Sequence, residues 1–312
     1  IYKSKNYKSR KLFLYSSLFC NLGLLLFFKY TYFVNDSIWF IYNFIIHNNT
    51  EINSTLGLNI ILPLGISFYT FQTISYTIDI YRGVSKPEKK FIVFLSYVIF
   101  WPQLIAGPIL RSNEVIPQLK TLHKFSWKNL ISGIEKIIFG LFKKVVLADN
   151  IAIIVDSIYN RDISMFNATD VWIASILFGF QIYFDFSGYS DIAIGTAKTL
   201  GINFPENFKW PYISKSPKEF WTRWHISLSS WIRDYLYLPL TGQRFKTRST
   251  DGISNSIVDK KTTALFFTWF IMGLWHGASW KFAFWGLYHA MFVYAFRNLQ
   301  FLKSLPENNP LL

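Results

Sequence analysis

The chain has 312 residues, of which 51% are hydrophobic, 20% aromatic and 16% charged. Soluble domains carry about 25% charged residues, so the composition excludes an ordinary soluble globular protein and makes the lipid bilayer the first partner. The net charge of +14 does not point to nucleic acid. The basic residues lie in short loops between apolar stretches, as in cytoplasmic loops that face anionic lipid. Mean hydropathy is only slightly positive because 12 Trp and 18 Tyr score as polar, and such rings favour the membrane–water boundary. The single cysteine, Cys20, excludes a disulfide, a CxxC redox pair and a cysteine zinc cluster.

In chain order, Lys3, Lys5, Lys8, Arg10 and Lys11 precede an apolar stretch, Leu12 to Val34. Positive-inside logic places these cations in the cytoplasm. Asn35 to Thr55 holds Asp36 and Glu51 but no Lys or Arg, and is expected outside. Leu56 to Tyr81 returns the chain to Arg82, Lys86, Lys89 and Lys90. Phe91 to Leu110 is apolar but holds Pro102, Gly107 and Pro108, and more cations follow it. A broken, re-entrant segment satisfies both facts, provided protein covers the irregular backbone. Leu130 to Ile154 goes out, and Val171 to Leu200 returns. Lys209 to Lys261 is the most basic part and reads as cytoplasmic, partly as interfacial amphipathic helices. Within it, Ser216-Pro217-Lys218-Glu219 predicts a capped helix start, and 241–261 is expected to be a mobile cytoplasmic loop. Thr262 to Trp280 then crosses outward and Phe282 to Phe296 returns. The expectation is all-α: six to eight membrane helices plus interfacial ones, in a single integral-membrane domain, 1–312. The chain begins at Ile1 and shows no cleavable signal peptide; it is expected to be a piece of a longer protein.

Ionisable residues inside apolar stretches are candidates for function. His276 lies in Gly273-Leu274-Trp275-His276-Gly277, roughly 21 Å into a core of about 30 Å if its helix starts near Thr262. Its outer-half position suits either a histidine bonded for packing or a general base in a cavity, since neutral imidazole takes a hydroxyl proton near neutral pH. Gly273 and Gly277 would let a neighbouring helix approach closely, and Trp269, Gly273, His276 and Trp280 would share a face. His225 follows Trp221, Arg223 and Trp224 and precedes Trp231 and Arg233. It reads as structural, or as part of a site where Arg forks and aromatic faces hold a phosphate-bearing donor. Asp185, between Phe184 and Phe186, must be paired or neutral: an ion pair with Arg223 or Arg233, or an orienter of a catalytic histidine. His289 is a further candidate for the same cavity, whereas His47 and His123 read as solvated. No Gly-x-Ser-x-Gly elbow, phosphate-binding glycine loop or His-Glu-x-x-His motif occurs, so serine hydrolase, P-loop and zincin chemistries lose their warrant.

An ordered set of strings carries a family resemblance. It comprises Trp101 to Ile109, Gly140 to Lys144, Gln181 to Asp191, Phe204-Pro205-Glu206-Asn207-Phe208 and Trp210-Pro211-Tyr212. It continues with Phe220-Trp221 through Trp231, Arg233-Asp234-Tyr235-Leu236-Tyr237-Leu238-Pro239-Leu240, and Gly273 through Gly277. Over roughly residues 57 to 295 the chain resembles the membrane-bound O-acyltransferases, of the bacterial alginate O-acetylation type. Thr241 and Trp101 depart from the usual Gly and Phe, and family members extend by further helices at both ends.

The resemblance implies a multi-pass protein of the bacterial cytoplasmic membrane, a ring of tilted helices about a thin centre with a tunnel. It implies His276 as the invariant catalytic histidine and His225 as the second. Asp185, Asn207, Arg223, Trp224, Arg233, Asp234 and Trp275 are then expected to bind substrate or support the site. No bound cofactor or metal is implied; acetyl-CoA or another acyl thioester is the donor. The acceptor is an extracytoplasmic polysaccharide, or a partner protein that relays acetyl groups to one. Alternatives are D-alanyl transfer to teichoic acid from a carrier protein and, in another class, a non-catalytic polysaccharide exporter or flippase.

Overall fold

The computed structural model describes residues 6–46, 58–104, 107–242 and 256–298. Among these residues all regular structure is helical, and no strand occurs. In chain order the helices are α1 (Tyr7–Leu25), α2 (Thr31–Ile46), α3 (Ile66–Arg82), α4 (Phe91–Val98), α5 (Trp101–Leu104), α6 (Ser112–Leu119), α7 (Trp127–Leu141), α8 (Asp149–Tyr159) and α9 (Ala168–Thr199). They continue as α10 (Pro217–Arg223), α11 (Ile226–Ile232), α12 (Leu238–Leu240), α13 (Ser256–His276) and α14 (Trp280–Asn298). π-helical turns at Leu26–Tyr30, Phe142–Ala148 and Arg233–Tyr237 join α1 to α2, α7 to α8 and α11 to α12.

Among the described residues, two helical segments are long and apolar enough to cross a bilayer, Tyr7–Ile46 and Ala168–Thr199. Of the other expected spans, α3 is short, at 17 residues, whereas α13 and α14 are long enough but too polar. α3 also places Thr70, Gln72, Ser75 and Asp79 in the protein interior, the sequence of α13 carries Asp259, Lys260 and Lys261 near its start, and α14 mixes Lys281, His289 and Arg297 with Trp and Tyr.

Several expected boundaries shift. Asn35 does not end the first helix, which runs on to Ile46; Asp36 is the only charge in α2, and its polar Asn35, Ser37 and Asn43 are interspersed with apolar and aromatic residues through which the helix propagates. The rest of that expected outer stretch, including His47, lies outside the described residues. The second span starts ten residues late, because Pro63-Leu64-Gly65 precedes α3 and Gly65 adopts a left-handed φ of 73°. α13 starts at Ser256 and ends at His276, while Trp280 opens α14. His276 is therefore a terminal residue, and Trp280 does not continue its face. Most of the expected 241–261 loop, 243–255, lies outside the described residues; its last six residues are helical.

The backbone packs as two compact units, each drawn from separated parts of the chain. The first contains residues 1–84, 210–223 and 228–312. Within it α1 packs on α3, where Arg10 Nη2 donates to the Tyr81 carbonyl at 2.7 Å and Ser17 meets Thr77 at 3.1 Å. α13 and α14 form an antiparallel pair. Gly273 and Gly286 sit where each would drive a Cβ into the opposite backbone, at the Phe282 and Trp269 carbonyls. The expected close approach at Gly273 is thus present. Phe71 lies stacked between Trp231 (4.0 Å between ring centres) and Trp275 (5.2 Å), and Trp231 Nε1 donates to the Phe71 carbonyl at 3.0 Å.

The second unit contains residues 85–209 and 224–227. The apolar run from Phe91 breaks between α4 and α5, and the chain then reverses: the Tyr97 hydroxyl reaches the Leu110 carbonyl at 3.0 Å. α7 and α9 run antiparallel with their backbones in contact. A Cβ on Gly140 would sit 2.7 Å from the Gly188 carbonyl oxygen, and one on Gly133 2.7 Å from that of Gly195. Small residues paired in this way bring helices together where lipid removes the hydrophobic drive. Lys143 seals the contact by pairing with Asp191 at 2.6 Å. α9 starts at a capping box in which Asn167 Oδ1 accepts from the Asp170 amide at 2.8 Å.

Candidate active site

His276 belongs to the first unit and His225 to the second, and each has its own surroundings. His276 is the last residue of α13 and is exposed. Its ring meets Trp275 edge-on at 4.9 Å and Trp285 at 5.2 Å. Trp285 in turn touches His289 at 4.6 Å, and His289 lies over Trp269 at 5.8 Å and against Trp221 at 5.1 Å. Two imidazoles thus flank one indole inside a wall of tryptophans. The candidacy of His289 gains this geometry.

Sequence reasoning passed over Lys29 and Tyr30. Both lie in the π-helical turn Leu26–Tyr30. Lys29 Nζ donates to the Trp275 carbonyl and to Ser67 Oγ at 3.4 Å, and it lies 5.5 Å from the centre of the Trp275 ring. Tyr30 donates to the Leu274 carbonyl at 2.9 Å. A lone lysine in a long apolar stretch was the available signal.

His225 is buried, 1% exposed, and sits between α10 and α11 with φ at +42°. Positive φ in a non-glycine residue costs roughly 1–3 kcal/mol and persists only when surroundings enforce it. Asn207 supplies that enforcement. Its Oδ1 accepts from His225 Nδ1 at 3.2 Å, from the Ser227 amide at 3.2 Å and from Ser227 Oγ at 2.9 Å. Its Nδ2 donates to Ser190 Oγ at 3.1 Å, and its backbone carbonyl accepts from the Ile226 amide at 2.9 Å. Asn207 is fully buried. The His225 ring meets Phe186 edge-on at 4.6 Å and faces Phe208 at 6.3 Å. Trp224 packs against Phe208 at 5.1 Å and Tyr183 at 6.1 Å. With Nδ1 assigned as the donor to Asn207, the neutral ring presents Nε2 as its acceptor nitrogen.

The expected partners of the charged candidates change. Asp185 does not pair with an arginine; it pairs at 2.6 Å with Lys144, in the π-helical turn Phe142–Ala148, and is 40% exposed. Lys144 also holds Asp149 at 2.7 Å. Arg223 pairs with Glu219 at 2.8 Å, one turn back on α10; Ser216 Oγ accepts from the Glu219 amide at 3.1 Å, as the predicted helix start requires. Arg233 Nε donates to the buried Asp234 at 2.8 Å and is itself largely exposed. The Asp234 carbonyl accepts from Arg82 at 3.2 Å.

A sequence profile of the membrane-bound O-acyltransferase family matches residues 89–307, more than half of the chain. The chain belongs to the membrane-bound O-acyltransferase family. It is 39% identical over 302 residues to the probable alginate O-acetylase AlgI of Pseudomonas putida, covering 93% of this chain and 56% of that protein. It is 36% identical over 308 residues to a peptidoglycan O-acetyltransferase of Helicobacter pylori, covering 90% of this chain and 54% of the relative. It is 31% identical over 241 residues to a teichoic acid D-alanyltransferase of Bacillus subtilis, covering 75% of this chain and 59% of the relative. The chain spans about half the length of the curated relatives it matches.

Proposed function

We propose that the protein containing this chain transfers an acetyl group from a cytoplasmic thioester, such as acetyl-CoA, to hydroxyls of an extracytoplasmic polysaccharide, directly or through a relay protein. The carrying observation is the similarity, at 39% identity over nearly the whole chain, to a protein named as a probable alginate O-acetylase. The proposal includes a multi-pass setting in the bacterial inner membrane, and the ring of tilted helices with a tunnel that the family resemblance implies.

The chemistry assigned to His276 follows from its position. The residue is exposed at the end of α13, and Trp275 and Trp285 pack edge-on against its ring. As general base it takes the acceptor's hydroxyl proton while the oxygen attacks the thioester carbonyl. The new C–O bond forms, the C–S bond breaks, and the proton leaves with the thiol. Catalysis of this kind contributes roughly 10²- to 10⁴-fold. His225, fixed in a strained conformation by Asn207, is the second histidine of the proposal. Asp185, Arg223, Trp224, Arg233 and Asp234 enter it as supporting residues, with the ion pairs and ring contacts given above.

A second reading, D-alanyl transfer, is favoured by the 31% identity to the teichoic acid enzyme. Mass spectrometry of the extracellular glycan separates the readings when the full-length protein is expressed in a strain lacking it. Gain of ester-linked acetyl supports the proposal. Gain of D-alanyl esters replaces it with the second reading. Glycan that is exported but unmodified replaces it with an exporter.

A further inference from the structure

α13 stops at His276, and the last four carbonyls of a helix have no partner within it. At membrane depth such groups need partners from protein. Two adjacent ones, of Leu274 and Trp275, find them on neighbouring residues of one π-helical turn: the Tyr30 hydroxyl and the Lys29 ammonium. π turns inside helices occur frequently at functional sites. A cation at a helix C-terminus also meets the negative end of the helix dipole. Lys29 also donates to Ser67 Oγ and lies against the Trp275 ring, which itself stacks on Phe71.

We propose that Lys29 and Tyr30 form a clamp that fixes the end of α13 and so positions His276. Lys29 is a positioning residue and does not touch the reacting atoms. The clamped carbonyls belong to the two residues immediately before His276, so their hold sets the backbone from which the imidazole projects between Trp275 and Trp285. Lys29 lies outside the residues matched by the family profile, 89–307. The proposal rests on the reading of His276 as the base.

The test uses the full-length protein and measures ester-linked acetyl on extracellular glycan, divided by the amount of protein in the membrane. Four variants are compared with the parent: Lys29→Met, Lys29→Arg, Tyr30→Phe and His276→Ala. Methionine keeps the stem's packing but not the donor, whereas arginine keeps the donor. A misplacement near 1 Å can cost about a hundredfold, so Lys29→Met is expected to lose about tenfold or more. Lys29→Arg should stay within about threefold of the parent, and Tyr30→Phe, which lacks one neutral hydrogen bond, should lose about threefold. Parental activity in Lys29→Met, or equal loss in the methionine and arginine variants, overturns the clamp. If Lys29→Met does not accumulate, Tyr30→Phe decides: unchanged activity there overturns it. Full activity in His276→Ala defeats the reading of the base instead; loss there with retention in Lys29→Met defeats only the clamp.

Discussion

Asn207→Ala is expected to be among the most destabilising polar substitutions in the second unit. The side chain is fully buried and makes four hydrogen bonds, to His225, Ser190 and twice to Ser227. The Ser190 and Ser227 hydroxyls can rotate toward other partners, but the Ser227 amide and the His225 ring N–H cannot. Leaving each of those two buried donors unmade costs about 1–3 kcal/mol, so the loss should be about 3–4 kcal/mol. With 2–4 °C per kcal/mol for domains of this size, the melting temperature falls by about 10 °C. Relief of the His225 strain returns part of that energy, but by letting the imidazole move. The assay is thermal unfolding of detergent-solubilised full-length protein, followed by tryptophan fluorescence. Ser190→Ala, which leaves one buried donor (Asn207 Nδ2) unmade instead of two, serves as the comparison and should shift melting about half as far. Melting of Asn207→Ala within about 2 °C of the parent would refute the reasoning, because the bonds at 2.9–3.2 Å would then carry little energy.

Further outcomes follow from other contacts. Gly140→Val places methyl groups where the Gly188 carbonyl already sits; overpacking should cost about 1–3 kcal/mol or more, and melting at the parental temperature would contradict the backbone contact of α7 with α9. Tyr235→Phe removes the hydroxyl that donates to buried Asp79 at 2.8 Å. In a double-mutant cycle with Asp79→Asn, non-additivity of about 1 kcal/mol is expected; strict additivity would mean the pair is not coupled. The Lys120 ammonium, 2.8 Å away, and the Lys90 and Lys89 amides hold the Glu88 carboxyl below its ordinary value of 4.5. Its folded pKa is depressed, so its small stabilisation is fully present above about 4.5 and fades as pH falls through the lower folded value. The melting difference between the parent and Glu88→Gln should therefore be present at neutral pH and vanish in acid; a difference that grows in acid would reverse the sign.

The sequence displayed local chemistry better than tertiary partnership. The Ser216–Glu219 cap, the break after Phe91–Val98 and the close approach at Gly273 are each encoded within a few residues, and each is present. The extent of α2 was hidden, because Asn35, Asp36 and Asn43 read as loop although a helix tolerates them on exposed or interfacial faces. Asp185 was expected to meet an arginine, since arginine is the common partner of a carboxylate in aromatic surroundings. Its actual partner, Lys144, is brought opposite it by the glycine-paired packing of α7 on α9, which no local pattern announces. His225 and Asn207 are 18 residues apart, and only the fold reveals that one fixes the other. The Trp275 carbonyl and Lys29 are 246 residues apart, so the lysine's purpose was not legible even though its presence in an apolar stretch was.

The central claim is that His276 is the base of an acyl transfer. Its most direct test is the ester-linked acetyl content of extracellular glycan made with the full-length parent and with His276→Ala, at matched membrane abundance. Loss of general-base catalysis is worth roughly 10²- to 10⁴-fold, so the account predicts acetylation reduced to background in the variant while glycan export continues. Equal acetylation in parent and variant would contradict it.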